Sequence, residues 1–393
     1  MIRQGLTGLS KNVFLLALAS LFGDVSTEML YPVLPVFLTQ TLRANGSIVG
    51  LVDGFAQATQ NLVQGLSGTL SDKLRRRKGV ALVGYLLAAL GKPLMGLSGS
   101  WQQVFGARLL DRIGAGTRSA PRDALIASSV AEKDRGRAFG LEGLGDNAGA
   151  FLGPLLALFL LSTLHVGLRP IFYWAIVPGL IAFVLVLFVT ERPIAVAPES
   201  RIDVHVRRLP SAYWRYLLAT AVFGIGNSSN AFLILRTQEE GASLKATLLV
   251  YAGFNLAAAL VSYPAGAWSD RWGRRNLLLA ALAVFALAYL GFALGRGPAV
   301  LGPMFLFYGL HQGMFRAGGK ALAADLVPEH QRATGIGWYS TCIGLLQLVA
   351  GVIGGMLWDR VGHAAVFYFG ATFALLGIGA LLVLVPGARP RHD

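Results

Sequence analysis

GTLSDKLRRRKG, residues 68–79, directly follows an apolar run, and AGAWSDRWGRRN, residues 265–276, repeats its phrasing almost two hundred residues later. Setting Gly68 against Gly266 also sets Asp72 against Asp270, Lys73 against Arg271 and Arg76 against Arg274. A second match follows downstream, where RAFG at 137–140 answers RATG at 332–335 and Gly149 answers Gly344. The correspondence predicts two halves repeated in parallel orientation.

The text between these phrases is apolar. The chain has 393 residues, 54% hydrophobic and 14% charged, with 49 glycines and a mean hydropathy of +0.59, too little charge to cover a soluble domain. Apolar runs of about 20 residues recur along it, each long enough to cross a hydrocarbon core as a helix. Hydropathy places twelve spans at 13–38, 47–70, 79–99, 103–125, 138–161, 169–190, 213–236, 246–268, 276–294, 299–322, 334–357 and 363–386. The expected architecture is an all-α membrane protein of two six-helix bundles, 1–190 and 213–393. They are joined by the polar, proline-bearing linker 191–212.

The net charge of +14 does not indicate nucleic acid, because the basic residues fall in short segments between apolar runs. Lys73 and Arg75 to Lys78 follow span 2; Lys133, Arg135 and Arg137 follow span 4; Arg192, Arg201, Arg207 and Arg208 follow span 6. The alternate loops LSGSW and GRGPA hold one basic residue or none. The positive-inside rule therefore puts the basic loops and both termini in the cytoplasm, in an inner (plasma) membrane. One cysteine, Cys342, and six scattered histidines give no disulfide framework and no metal site. The basic N-terminus precedes an apolar run that contains Asp24 and Glu28, which predicts a retained first span rather than a cleaved signal.

On these residues the sequence resembles the major facilitator superfamily along its whole length. The family's loop signature G-x-L-a-D-r-x-G-r-[KR] is met in the second half by Gly266, Asp270, Arg271, Gly273, Arg274 and Arg275. The first half keeps Gly68, Leu70, Asp72, Arg76 and Arg77, with Arg75 where the family prefers glycine. The chemistry suits a cytoplasmic latch: glycine permits close helix approach, aspartate accepts from amides at a helix N-terminus, and arginine bridges carboxylates. Arg118, Arg122 and Asp123, at the end of span 4, are expected in the same gate. In span 5, Gly140, Gly149, Gly153 and Pro154 are similar to the family's antiporter motif G-x8-G-x3-G-P, with Leu156 and Ala157 replacing its final glycine pair. In span 4, Arg108, Gly114 and Gly116 resemble R-x-x-q-G-x-G-x-G, with Asp111 and Arg112 in place of the usual glutamine and glycine. The resemblance implies that Arg108 takes part in proton coupling.

Intramembrane charge is the remaining signal. Asp24, Glu28 and Tyr31 are spaced to share one face of span 1. A carboxylate at mid-membrane costs at least a few kcal/mol unless it faces a cavity or a partner. Burial favours its protonated form and a nearby arginine the ionised one, so a movement that exchanges the two environments binds and releases a proton. The resemblance brings spans 1 and 4 together, which makes Arg108 or Arg112 the expected partner. The competing reading is a permanent ion pair that only fixes packing. Gln57, Asn61, Asp146, Asn147, Asn227, Asn230 and His311 are the other expected cavity residues, with His311 also readable as ordinary packing.

These features predict a proton-driven exporter of a small amphipathic organic compound, working by alternating access in the lipid bilayer without a cofactor. Its glycine-rich runs lack the lysine and hydroxyl of a phosphate loop. The alternatives are an importer or symporter for a metabolite or siderophore-like compound, and a non-transporting membrane sensor. No nucleophile with a base stands out, which argues against an enzyme. One twelve-span chain can form a complete pathway as a monomer.

Overall fold

The computed structural model describes residues 10–74, 76–131, 134–191, 209–328 and 331–385. Both termini and nearly all of the linker expected at 191–212 lie outside the described residues, as do the side chains of Asp72 and Asp270. Every regular element described is helical.

The helices are α1 (Lys11–Glu28), α2 (Val33–Val36), α3 (Gly46–Leu74), α4 (Arg77–Leu97), α5 (Trp101–Ser128), α6 (Arg135–Ser162), α7 (Leu168–Trp174) and α8 (Ile176–Leu187), with a π turn at Phe37–Thr41. They continue as α9 (Ser211–Gly226), α10 (Asn230–Glu239), α11 (Leu244–Trp272), α12 (Arg274–Leu294), α13 (Pro298–Asp325), α14 (Arg332–Arg360) and α15 (His363–Leu384). Among the described residues, nine segments are both long and apolar enough to span a membrane. The helices α3, α5 and α13, of 29, 28 and 28 residues, have spanning length but are not among the nine.

Breaks and ends follow local chemistry. Pro32 disfavours helical backbone at Tyr31, so the chain turns between α1 and α2. The break between α9 and α10 closes on Ser229, whose hydroxyl accepts from the Ala231 amide at 3.0 Å. Gly273, at φ +87°, makes the sharp junction of α11 and α12 that a residue with a Cβ resists.

Two compact units form. The first comprises residues up to Leu42 and Thr59–Ser200; the second comprises Arg43–Ala58 and Arg201 onward, so the first half of α3 belongs with the second unit. In the first unit α1 packs on α6 and α8, and α4 on α5 and α8. In the second, α9 packs on α14 and α15, and α12 on α13 and α15, the same pairings in the repeat's order. Small buried residues (Ala19, Ala81, Ala138 and Ala182) alternate with Val13, Leu16, Tyr85 and Ile126 in the first unit's core. Large apolar side chains such as Leu66, Leu144, Phe188, Leu260, Leu294 and Val383 are exposed, the surface expected where lipid tails rather than water surround the helices.

Candidate functional site

Two charged clusters occupy the interior of the first unit, both built on α5. The first is centred on Asp111, which is wholly buried. Its Oδ1 accepts from Lys92 Nζ at 3.0 Å; its Oδ2 accepts from Arg108 Nη1 at 3.0 Å and from Arg112 Nε and Nη2 at 2.9 and 2.7 Å. Arg112 Nη1 donates to Gln60 Oε1 at 2.9 Å, and the Arg108 guanidinium lies over the Tyr31 ring, 5.8 Å from its centroid. Lys92, Arg108 and Arg112 are at most 5% exposed. Lys92 reaches Asp111 because α4 and α5 touch backbone to backbone: a Cβ on Gly91 would stand 2.8 Å from the Asp111 nitrogen. Presented singly to lipid, these four ionic groups would cost roughly 10–14 kcal/mol by insertion scales, which is why they gather on one another.

The second cluster lies about two to three turns further along α5. Arg118 Nη2 donates to Asp24 Oδ1 at 3.2 Å, and its guanidinium stacks over Tyr85 at 4.7 Å from the ring centroid. Arg122 is shared by Glu142 at 2.6 Å, Asp123 at 3.0 Å and Asp146 at 3.5 Å, and donates to Ser20 Oγ at 2.8 Å. Ser20 in turn donates to Glu142 Oε1 at 3.2 Å. Asp24 is held there by the fit of α1 against α6. A Cβ on Gly149 would lie 2.5 Å from the Leu21 carbonyl oxygen and 2.8 Å from Asp24 Cβ.

Several expectations are corrected by this geometry. Asp24 pairs with Arg118, not with Arg108 or Arg112, because those two arginines are already held by Asp111 on their own helix. Tyr31 falls in the turn between α1 and Pro32, where its amide still donates to the Thr27 carbonyl at 3.1 Å. Arg118 and Arg122 sit inside α5, which continues past Pro121 to Ser128, and are buried, whereas the stretch TRSAPRDAL reads as the end of a span. Gly153 makes a close approach like that of Gly149, 2.8 Å from the Met29 nitrogen, and Pro154 lies within α6, whereas nothing lies within 4 Å of a Cβ built on Gly140. Gly266 likewise has open space, so close helix contact does not explain it; Gly68 has a neighbour at 3.3 Å in Ala120.

Of the expected latch, Arg76 and Arg271 are exposed, and Arg274 Nε pairs with Asp325 at 2.5 Å, joining the α11–α12 junction to the end of α13. Arg275 donates to the Leu381 and Leu382 carbonyls, at the end of α15. In the second unit Asn230 accepts from Tyr308 at 2.7 Å. Asn227 lines a small cavity with Thr220, Phe223, Phe315 and Gln347. His311 is enclosed by Phe223, Phe285, Tyr308 and Phe315, and its Nδ1 lies 2.8 Å from the Ala281 carbonyl; it does not line that cavity. Gln57, Glu28, Asn61 and Asn147 are half-buried.

Lys92 is the functional candidate that the sequence reading passed over. A lone lysine inside VALVGYLLAALGKPLMGL is signalled by the same intramembrane-charge rule that singled out Asp24.

A helical membrane protein with two repeated units and paired charges buried in one of them is a transporter architecture. The sequence matches the Major Facilitator Superfamily over residues 16–237 and again over 216–393, and the chain belongs to that family. It is 35% identical over 384 residues to the uncharacterized MFS-type transporter MJ1317 of Methanocaldococcus jannaschii, covering 96% of this chain and 95% of that protein. It is 29% identical over 137 residues to the quinolone resistance protein NorA of Staphylococcus aureus, 35% of each chain. Its fold resembles the crystal structure of the nucleoside transporter NupG (D323A mutant), with a TM-score of 0.82 at 14% identity over 96% of this chain and all of that one.

Proposed function

We propose that this transporter is proton-coupled, that its termini face the cytoplasm across an inner membrane, and that it exports a small amphipathic organic compound. The observation that carries proton coupling is the charge count of the second cluster, in which four carboxylates (Asp24, Asp123, Glu142 and Asp146) face two guanidiniums, Arg118 and Arg122. Asp123 is the most exposed of the four, and the three carboxylates that remain still outnumber the two guanidiniums; that surplus negative charge is relieved by binding protons. Asp24 and Asp146 are the acceptors we assign: Asp24 is partly exposed, and Asp146 lies farther from Arg122 than Glu142 does. Protonating Asp24 releases Arg118 from α1, and the paired and unpaired arrangements are the two states that alternating access needs.

Export is supported by the antiporter-like glycines of α6 and by the partial similarity to NorA. Symport is the second reading, favoured by the surplus positive charge of the Asp111 cluster, because an anionic compound held there would draw protons toward the other cluster. The test is transport in proteoliposomes under an imposed pH gradient. Compound movement against the proton flow supports export by exchange, movement with it supports symport, and movement unaffected by the gradient in every compound tried refutes proton coupling.

A further inference from the structure

We infer that Lys92, Arg108 and Arg112, held by Asp111, form a subsite for an oxyanion, so that the transported compounds carry a carboxylate or a phosphate. This deepens the transporter reading above and rests on it for the word transported; the binding itself does not.

The argument is one of charge and burial. Three cations and one carboxylate sum to +2, all at most 5% exposed. Counting Glu28 wholly for this cluster still leaves +1. An ion pair that only fixed packing would match one cation to one carboxylate, since each further buried charge costs several kcal/mol in an apolar bundle. Asp111 divides four hydrogen bonds among three cations, three of them on Oδ2 and one on Oδ1, and its single negative charge cannot neutralise all three.

The donors suit an oxyanion. Lys92 Nζ has three N–H groups and is given two acceptors, Asp111 Oδ1 and the Ala88 carbonyl at 2.9 Å. The guanidinium fork of Arg112 matches the two oxygens of a carboxylate or a phosphate. Gln60 spends its carbonyl oxygen on Arg112 and keeps its amide N–H groups as donors, and the Arg108 guanidinium lies over the Tyr31 ring. In this structure Asp111 therefore stands where a ligand oxyanion would compete for the same donors. The second cluster has the opposite balance and repels anions, and the distance from Arg112 to Arg118 along α5 is about 9 Å. The chain thus separates an anion-binding region from a proton-binding one.

The test uses the full-length protein in detergent and four probes that share one ring and differ in charge: benzoate, phenyl phosphate, benzyl alcohol and benzylammonium. Thermal stabilisation is measured against probe concentration for wild type, Lys92→Met, Lys92→Arg and Asp111→Asn. Benzoate, phenyl phosphate or both are expected to stabilise wild type, which also tells carboxylate from phosphate, while the neutral and cationic probes do not. Lys92→Met weakens anion binding by about tenfold or more and Lys92→Arg restores it; Asp111→Asn, which removes the competing carboxylate, tightens it. If Lys92→Met does not fold, the wild-type probe series and Asp111→Asn decide. Failure of both anions to bind overturns the inference, as does preference for benzylammonium or equal anion binding to wild type and Lys92→Met. Anion binding in a protein that moves none of these compounds in proteoliposomes would retain the subsite and refute the transport reading alone.

Discussion

Replacing Asp111 with asparagine keeps the size of the side chain and removes the charge on which three buried cations converge. The amide must also turn its NH2 either toward Lys92 Nζ or toward the arginine fork, so at least one donor meets a donor where the carboxylate accepted at 2.7–3.0 Å. Removing one partner of a buried ion pair costs about 3–5 kcal/mol, because the remaining charge is left uncompensated. A unit of 150–250 residues loses about 2–4 °C per kcal/mol, so the melting temperature of the purified protein should fall by roughly 6–20 °C. The control is Asp123→Asn on the same helix: that side chain is 41% exposed and shares Arg122 with Glu142 and Asp146, so its loss should cost about 1 kcal/mol or less. Scanning fluorimetry of the two variants beside wild type makes the comparison. An Asp111→Asn protein that melts with wild type, or no lower than Asp123→Asn, would refute the claim that Asp111 holds the cluster together.

Three further outcomes follow from the packing. Gly149→Ala places a Cβ 2.5 Å from the Leu21 carbonyl oxygen, at a cost of about 1–3 kcal/mol, and shifts the helix that carries Asp24; proteoliposome flux should drop sharply while Gly140→Ala, in open space, leaves it unchanged. Asp359 accepts from the Gly46 and Ser47 amides, both at 2.8 Å, and from Ser47 Oγ at 2.5 Å, so Asp359→Ala should weaken the start of α3 by about 0.5–2 kcal/mol, seen as faster amide exchange at 46–49. His311→Phe trades one hydrogen bond, worth about 1 kcal/mol, for an apolar ring inside an aromatic cage; transport should persist with its pH dependence intact, and loss of pH dependence would make His311 a proton carrier after all.

Much of the fold was legible because its signals are local in sequence. Apolar runs marked the helices, and the twice-written Gly and Asp phrase marked the repeat. The charged residues of the site were legible one by one, since a carboxylate or guanidinium in an apolar run is rare enough to notice. Their pairing was not legible. Whether Asp24 meets Arg112 or Arg118 depends on the rotation of α1 and α5 and on how far the glycines of α6 draw α1 in, and no periodicity within one helix encodes it. Gly149 and Gly266 looked alike as motif positions, yet one touches backbone and the other faces open space. Asp359 gave no signal because its role, closing the start of a helix more than three hundred residues earlier, is created by the fold.

The most direct test of the central claim is proton exchange by the purified protein when candidate compounds are added, read with a pH-sensitive dye in weak buffer, for wild type, Asp24→Asn and Asp146→Asn. A compound-dependent proton signal in wild type that is lost or strongly reduced in Asp24→Asn or Asp146→Asn is the predicted result. The same signal in wild type and both variants would contradict the assignment of proton binding to the carboxylates around Arg118 and Arg122.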